Sequence, residues 1–514
     1  MPAITYATVY SESGSDADGL AFEEALRGLR QRDPLTLAHR IGGVEVGDGV
    51  RFERTDPVDP ARVVASAPAA DAATVARAVA AARAAQPAWG RRDYVERARL
   101  LQRVREAIAD QRIPLAALAS LETGKTRADA LAEVDECVAI VDLFARQAEQ
   151  SHGYAVPHVA PSAGSRAEVV LRPFGVFGVI APFNFPLAIP FAMVAAALAA
   201  GNAVVFKPSA LTPACGAAFV ALFDRLELPE GLLNLVHGDG ETGAALSEAE
   251  IDGLAFTGSA AVGLDLLARL HRPPYARPVI AEMGGKNPGI VTASADLAVA
   301  AKAVARSAFG MSGQKCNACS RAVVVDAVHD EFVERLRAEA EALVVGDPLD
   351  RAAFTGPVVG RPSVERFSRA VAAARADGRV VTGGGTGEGG HFVDLTVVDG
   401  LPAGHELTRE ELFLPVLSVV RVPDLDAALR EANAVRYGLA AGVFSEDEGE
   451  RARFLDEIEA GIVFVNNPGG ATTGVWPGSQ TMSGWKASGS TGKGGFGPWY
   501  LQQFSREQSR TVFA

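Results

Sequence analysis

The sequence predicts an α/β fold of two domains, each built on a mostly parallel sheet with helices on both faces. Three observations carry that prediction. From Arg172 onward, strand-like runs alternate with helical runs, the pattern of parallel strands joined by crossovers. A second series of the same kind follows Cys316. Between Arg172 and Lys207 there is no charged residue, and the texture changes along the way. Val176–Ile180 reads as a buried strand, 187–200 as an Ala-rich helix and 203–206 as a second strand. That stretch is long enough to span a bilayer. Pro173, Pro182, Pro186 and Pro190 interrupt it, however, and Asn184 and Asn202 sit inside it, so a buried β-α-β unit explains it better than a transmembrane helix.

The 514 residues amount to roughly three domain-sized units. Apolar residues make up 48% and charged residues 22%, an ordinary globular composition. The net charge is −13 with no Lys/Arg-rich run, which speaks against a nucleic-acid or anionic-membrane partner. Four cysteines, Cys137, Cys215, Cys316 and Cys319, are too few for a disulfide framework and fit a reducing cytoplasm. The first residues show no basic segment followed by an apolar one, so secretion is not expected and a cytoplasmic location is.

Residues 1–44 read as an arm with an apolar helix at 20–30 and a turn at Asp33-Pro34. A strand-like run through Val50 and Phe52 follows. Residues 71–86 form an Ala-rich helix that Pro87-Ala-Trp89-Gly90 is expected to break. Asp93-x-x-Glu96 is a capping box for the next helix, with Val95, Leu101, Val104 and Ile108 on its apolar face. Ser120-Leu-Glu-Thr-Gly-Lys-Thr126 ends like a phosphate loop, but Ala119 stands where that pattern needs glycine and no strand precedes it. The remaining strands of the first series are expected at 233–236, 253–256, 278–281 and 289–291. The second series has strands at 321–325, 380–382, 416–420, Ala440–Phe444 and Ile462–Val465, and helices at 331–343 and 425–432. The two series join near Glu282. The tail, 499–512, is amphipathic and cannot have its own core, so it should add to a sheet elsewhere, another subunit being one host.

Four clusters suit chemistry. Gly238-Asp-Gly240-Glu-Thr-Gly243 satisfies G-x-G-x-x-G between a strand and a helix, but no well-placed acidic residue follows, so a plain glycine turn is equally open. Thr257-Gly258-Ser259-Ala-Ala-Val262-Gly263 puts small residues where a strand runs into a helix, leaving backbone N–H groups beside any bound phosphate. Glu282-Met-Gly-Gly-Lys286 ends an apolar strand with a carboxylate, whose half-burial suits a general base; a paired structural carboxylate is the alternative. Phe309-Gly-Met-Ser-Gly-Gln-Lys315-Cys316 places a thiol after a glycine-bearing turn, near a cation and close to an expected helix start, two conditions that lower a thiol pKa. The alternative is an inert buried cysteine. Cys316-Asn-Ala-Cys319 lacks a second cysteine pair or nearby histidine, so no metal is expected.

Taken together, Ala181-Pro182-Phe183-Asn184-Phe185-Pro186, Lys207-Pro208-Ser209, Phe256-Thr-Gly-Ser259, Glu282-Met-Gly-Gly-Lys286, Gly313-Gln-Lys-Cys316 and Glu411-Leu-Phe413 resemble the aldehyde dehydrogenase superfamily in order and spacing. The resemblance runs from about residue 45 to the end. Within the superfamily the chain looks most like bacterial 1-pyrroline-5-carboxylate (L-glutamate γ-semialdehyde) dehydrogenases. Gly313-Gln-Lys-Cys-Asn-Ala-Cys-Ser-Arg321, Gly470-Ala471 and Gly489-Ser-Thr-Gly-Lys493 carry that likeness.

The resemblance implies a Rossmann-like NAD(P)-binding domain at 45–150 and 173–281, and an α/β catalytic domain at 282–489. It implies a small β bridging or oligomerisation element at 151–172 and 490–514, and a homodimer or larger homo-oligomer. A small-molecule aldehyde is the implied partner. Cys316 would attack the aldehyde, and Asn184 with the Cys316 N–H would hold the oxyanion. Hydride would leave to the nicotinamide, and Glu282 would activate the water that hydrolyses the thioester. Lys207 and Glu411 match the ribose-binding pair, Phe413 the nicotinamide support and Ser259 the pyrophosphate contact. Ala181, Pro182, Phe183, Ser209, Ala210, Gly240, Thr257, Gly258 and Val262 complete the implied cofactor site. NAD⁺ is the expected cofactor with NADP⁺ tolerated, because Ala210 stands where many NAD-preferring relatives carry a glutamate that repels a 2′-phosphate. Asn317, Gly470 and Ala471 would hold a substrate carboxylate. Two positions depart from the pattern: Thr481-Met482-Ser483-Gly484 replaces Pro-Phe-Gly-Gly, and Asn317 replaces a serine. A different aldehyde, a CoA-acylating relative and a non-catalytic relative are the alternatives.

Overall fold

In the computed structural model, which describes residues 16–513, the uncharged stretch folds as strand Val176–Ile180, helix Ala188–Ala199 and strand Ala203–Lys207. The two strands pair in parallel, Val176 opposite Ala203 and Ile180 opposite Lys207, and every residue of both is buried. They form the middle of a seven-stranded sheet with the order Val279–Glu282, Gly253–Thr257, Val176–Ile180, Ala203–Lys207, Leu233–Leu235, His39–Ile41, Val44–Val46. The first five strands are parallel, and the last two turn antiparallel. The chain runs outward from Val176–Ile180, then crosses back to lay Gly253–Thr257 on its other side. Such a reversal opens a crevice at the carboxyl ends of the strands.

Residues 39–44, placed in the arm by the sequence, thus belong to two strands that extend this sheet. The arm helix runs Asp16–Arg30, with Phe22 and Leu26 buried in the same core. Residues 1–15 lie outside the described residues.

A second seven-stranded sheet has the order Arg379–Thr382, Thr396–Asp399, Val416–Val422, Cys319–Val325, Asn287–Val291, Ala440–Phe444, Ile462–Val465. All its pairings are parallel except that of its first two strands. Thr396–Asp399 escaped the sequence reading because four residues beside glycine-rich loops carry too little pattern.

The tail finds its host within the chain. Ser505–Phe513 pairs antiparallel with Ser165–Pro173, which also pairs with Ala155–His158. The helix expected to break at Pro87 continues from Ala72 to Gly90. Trp89 is fully buried and its indole N–H donates to the Leu198 carbonyl at 2.7 Å, so packing against Ala188–Ala199 outweighs the bond that proline forfeits. The Asp93 cap is present, its carboxylate accepting from the N–H groups of Val95 and Glu96. Among the described residues no helix is long and apolar enough to cross a membrane, and no group of side chains could hold a metal ion.

Trp89→Ala should cost about 3–5 kcal/mol by emptying a core position and removing the indole bond. Urea unfolding followed by far-UV circular dichroism measures it. A midpoint equal to the wild type's would show that this contact does not hold the helix.

Candidate active site

Strand Val279–Glu282 ends against the loop that carries Cys316, and two glycines make the approach possible. A Cβ on Gly285 would lie 2.5 Å from the Cys316 carbonyl oxygen, and one on Gly284 would lie 2.0 Å from Glu411 Oε2. Gly285 N–H instead donates to Glu411 Oε1 at 2.9 Å. Asn287 Nδ2 donates to the carbonyls of Cys316 and Ala318, both at 2.8 Å. Ser488 Oγ donates to the Gly284 carbonyl at 2.7 Å, pinning the turn from the far side. The Glu-Met-Gly-Gly-Lys-Asn run therefore brings Glu282, Glu411 and Cys316 to one point.

Cys316 lies between the single turn Gly310–Gly313 and strand Cys319–Val325. No helix begins beside it, and Lys315 turns toward Asp129, with Nζ and Oδ1 3.4 Å apart. The lowered thiol pKa expected from sequence is therefore not found. Burial above all, with the carboxyls of Glu411 and Glu282, pushes the thiol up to about 12. Glu282 is half-buried, its Oε2 has no hydrogen-bond partner among the described residues, and burial holds its pKa well above the usual carboxyl range. Burial thus disfavours the charged form of both groups.

Asn184 is buried, and its Nδ2 donates to the Gln314 carbonyl at 3.0 Å, just ahead of Cys316. What holds Asn184 is the supposed phosphate-loop fragment. Lys125 Nζ donates to the Asn184 carbonyl at 2.8 Å and is ion-paired with Glu133, both charges buried. Glu133 Oε1 in turn accepts from the N–H groups of Leu187 and Ala188 at 2.7 and 3.1 Å, closing the start of helix Ala188–Ala199. Sequence reasoning missed both residues; a lysine and a glutamate eight apart carry no sign that they meet an asparagine far along the chain.

Along the crevice, Lys207 Nζ is buried and donates to the carbonyls of Pro208 and Gly238 at 2.9 and 3.1 Å, and burial lowers its pKa to about 8. Gly238 has φ of 147°, and a Cβ there would strike Thr242 Oγ1 at 1.9 Å, so this turn admits only glycine. Gly240 opens helix Gly240–Glu248 behind it. Ala181 N–H donates to the Lys207 carbonyl at 3.1 Å, setting Pro182 and Phe183 beside that strand end. Ser209 Oγ accepts from Leu211 N–H at 3.2 Å, with Ala210 half-buried next to it. Thr257 Oγ1 lies 3.6 Å from Met193 Sδ, and Gly258 N–H donates to the Glu282 carbonyl at 3.1 Å. Ser259 is exposed and caps helix Ala260–Leu270, whose first turn carries the exposed Val262. Phe183 and Phe413 meet edge to face, 5.8 Å between centroids. Burial raises Glu411 to about 7. An open helix N-terminus, a buried cation, a carboxyl group and an aromatic pair are the chemistry a pyridine dinucleotide requires, so these residues fit such a cofactor.

On the other side of Cys316 lies a cavity lined by Asn317, Glu136, Phe185, Thr473, Trp476 and Met482. Gly470 and Ala471 are absent from its wall. Ala471 is buried with its N–H donated to the Ala303 carbonyl at 3.2 Å, while the Gly470 carbonyl accepts from Asn467 Nδ2 at 2.7 Å. The wall is formed by residues 473–476 instead, because Ala471 is drawn behind the site against Gly442. Asn317 does reach the cavity, its carbonyl held by the Thr472 hydroxyl at 2.6 Å. Glu136, unmarked by any motif, is pushed up to about 8 by burial and the charge of Glu133. Met482, one of the departures from the family pattern, also lines the wall.

The aldehyde dehydrogenase family model matches residues 45–509. Over 437 residues the chain is 36% identical to an alpha-ketoglutarate semialdehyde dehydrogenase of Haloferax volcanii, covering 83% of this chain and 88% of that one. Its fold is similar to that of a 1-pyrroline-5-carboxylate dehydrogenase from Thermus with bound NAD, with a TM-score of 0.92, 32% identity and 97% of each chain covered. It is also similar to proline utilization A of Bdellovibrio bacteriovorus, with a TM-score of 0.92 and 33% identity, where it spans 96% of this chain and 52% of that longer one. With this match across nearly its whole length, the chain belongs to the aldehyde dehydrogenase family, NAD(P)⁺-dependent oxidoreductases that act on aldehydes.

Proposed function

We propose that the chain oxidises L-glutamate γ-semialdehyde to the acid through a Cys316 thioester, with NAD⁺ as cofactor and NADP⁺ tolerated. The observation that carries the reading is the convergence of Cys316, Asn184 and Glu282 between the strand ends that carry Lys207 and Ser259 and the cavity lined by Asn317 and Trp476. The Thermus relative named for 1-pyrroline-5-carboxylate supports the substrate. The Haloferax relative favours a second reading, the same reaction on an oxo-acid semialdehyde.

Cys316 gives its thiol proton to solvent water and its Sγ bonds to the carbonyl carbon, the C=O electron pair moving onto the oxygen. The oxyanion accepts hydrogen bonds from the second Asn184 Nδ2 hydrogen and the Cys316 N–H. Lys207, Ser259, Glu411 and Phe413 would hold NAD(P)⁺, which would accept the hydride that leaves the substrate carbon as the C=O re-forms to give the thioester. Ionised Glu282 then takes a proton from water, which attacks the thioester and releases the acid and the thiol. The substrate carboxylate finds donors in the Asn317 side chain and the backbone of 473–476. Glu282 as water activator also argues against an acyl-CoA product, which analysis of the released acid would reveal.

The domain division given above, a cytoplasmic location and a homo-oligomer belong to the same proposal. All four cysteines are free, which supports a reducing compartment. The three-stranded sheet exposes Val156, Val512 and Phe513, which supports burial against a second copy.

Without cofactor, alkylation of Cys316 by iodoacetamide should keep accelerating from pH 6 to 9, because a raised pKa leaves thiolate only at alkaline pH. A rate that levels off near pH 7 would contradict the resting state described here. Glu282→Gln should give a burst of NAD(P)H followed by turnover slowed roughly 10²–10⁴-fold, since only the base for water is lost. Equal slowing of burst and steady state would place Glu282 before hydride transfer. In an aldehyde panel, L-glutamate γ-semialdehyde should exceed propanal and hexanal in kcat/KM by at least about tenfold per lost charged hydrogen bond, roughly 1.5–3 kcal/mol each. Comparable values for the unsubstituted aldehydes would remove the carboxylate subsite.

A further inference from the structure

The loop ahead of Cys316 is bent in a way its residues resist. Met311 and Ser312 are consecutive non-glycine residues in the left-handed region, with φ of 51° and 53°, followed by Gly313 at 67°. L side chains adopt that conformation only when the surroundings impose it. Here the surroundings are one short segment, 355–359. Ser312 N–H donates to Thr355 Oγ1 at 2.6 Å, the two hydroxyls are 3.2 Å apart, and Ser312 Oγ donates to the Gly356 carbonyl. Gln314 bridges the ends of the bend, donating from Nε2 to the Met311 carbonyl at 3.2 Å while its Oε1 accepts from Val359 N–H at 3.0 Å. Thr355, Ser312 and Gln314 are all buried.

The same segment grips the loop that holds Asn184. A Cβ on Gly356 would lie 1.8 Å from the Gly124 carbonyl oxygen, and one on Gly124 would lie 2.6 Å from Pro357 Cγ. Arg54 joins the two, donating from Nη2 to the Val359 carbonyl at 2.9 Å and from Nε to the Glu122 carbonyl at 3.2 Å. Gly124 leads directly into Lys125, whose Nζ holds the Asn184 carbonyl. On the opposite flank the bend cannot yield, since a Cβ on Gly313 would already lie 2.3 Å from the Leu414 carbonyl oxygen. None of residues 355–359 lines the cavity beside Cys316.

We propose that segment 355–359 is a brace that sets the position of Cys316 relative to Asn184, with the Thr355 hydroxyl as its positioning residue. The proposal rests on the nucleophile and oxyanion roles given under Proposed function. Thr355 touches neither substrate nor cofactor and acts through Ser312. Without its hydroxyl, the Ser312 N–H loses its partner, the bend relaxes, and the thiol shifts against the amide that must meet its oxyanion. The aldehyde and cofactor contacts stay where they are, so the loss falls on the chemical step.

The test compares Thr355→Val, which keeps the shape without the hydroxyl, with Thr355→Ser, which restores it. Rates are expressed per folded enzyme, counted by far-UV circular dichroism of the soluble fraction, and thermal melting is followed alongside. Thr355→Val should lower kcat about 10–100-fold, the scale of a nucleophile misplaced by an ångström, with both KM values within about twofold. Thr355→Ser should retain at least about half of kcat. A folded Thr355→Val enzyme with wild-type kcat, or a serine variant as impaired as the valine one, would overturn the brace. If the valine variant does not fold, Gln314→Leu cuts the other end of the brace and must show the same split between kcat and KM, or the proposal fails. Cys316→Ser, measured in parallel, should be inactive; activity there would sink the nucleophile reading and not the brace.

Discussion

The site depends on one close approach of backbones, where the strand ending in Glu282 meets the cysteine loop at Gly284 and Gly285. Neither position has room for a Cβ, because Glu411 and the Cys316 carbonyl already occupy the space. That contact joins the two large sheets, since Val279–Glu282 ends the first and Asn287–Val291 enters the second. The chain thus needs only the turn between them to bring the Glu282 and Glu411 carboxyls and the Cys316 thiol within one neighbourhood. Asn287 completes the joint by tying the cysteine loop to Ala440, whose N–H donates to Asn287 Oδ1 at 2.9 Å.

Around this joint the chain buries charge in an orderly way. Lys125 and Glu133 neutralise one another and spend their remaining hydrogen bonds on backbone groups of Asn184, Leu187 and Ala188. Arg321 is fully buried, and its guanidinium donates to the carbonyls of Lys286, Glu431 and Ala432. Such pairs rarely add net stability, but losing one partner leaves a buried charge unpaired, so they act as rigid fixtures. By contrast, the groups suited to chemistry are left poorly satisfied. Glu282 Oε2 has no partner among the described residues, and Cys316 and Glu411 are both raised by burial. Burial therefore disfavours the charged form at each of these groups, in contrast to the paired charges around them.

Much of the fold was legible because strands buried on both faces leave a strong mark. Val176–Ile180 and Ala440–Phe444 lie where their apolar runs predicted, and so does the edge strand Ile462–Val465, although its Val463 is exposed. The family resemblance likewise rested on short runs whose glycines now have steric reasons, at Gly284, Gly285 and Gly313. The misreadings share a cause. The local cost of Pro87 is visible in the sequence, whereas the burial of Trp89 that outweighs it is not. Cys316 was given a helix start and a cation because Lys315 is its neighbour in sequence, whereas Lys315 faces Asp129. Gly470 and Ala471 were placed on the substrate wall by motif, while Thr473 and Trp476 occupy it.

By itself, then, the sequence determined which residue types could perform thioester chemistry and which runs had to be buried strands, because those depend on side-chain identity and local periodicity. Tertiary structure decided everything that depends on distance across the chain. It made a discarded phosphate-loop fragment the support of Asn184, and it drew Glu136 into the cavity from a helix without a motif. It also turned an expected acidic thiol into one that burial holds protonated. The physical reason is that pKa, packing and hydrogen bonding respond to whatever lies within a few ångströms, and neighbours in space are set by the folding of distant segments rather than by their order.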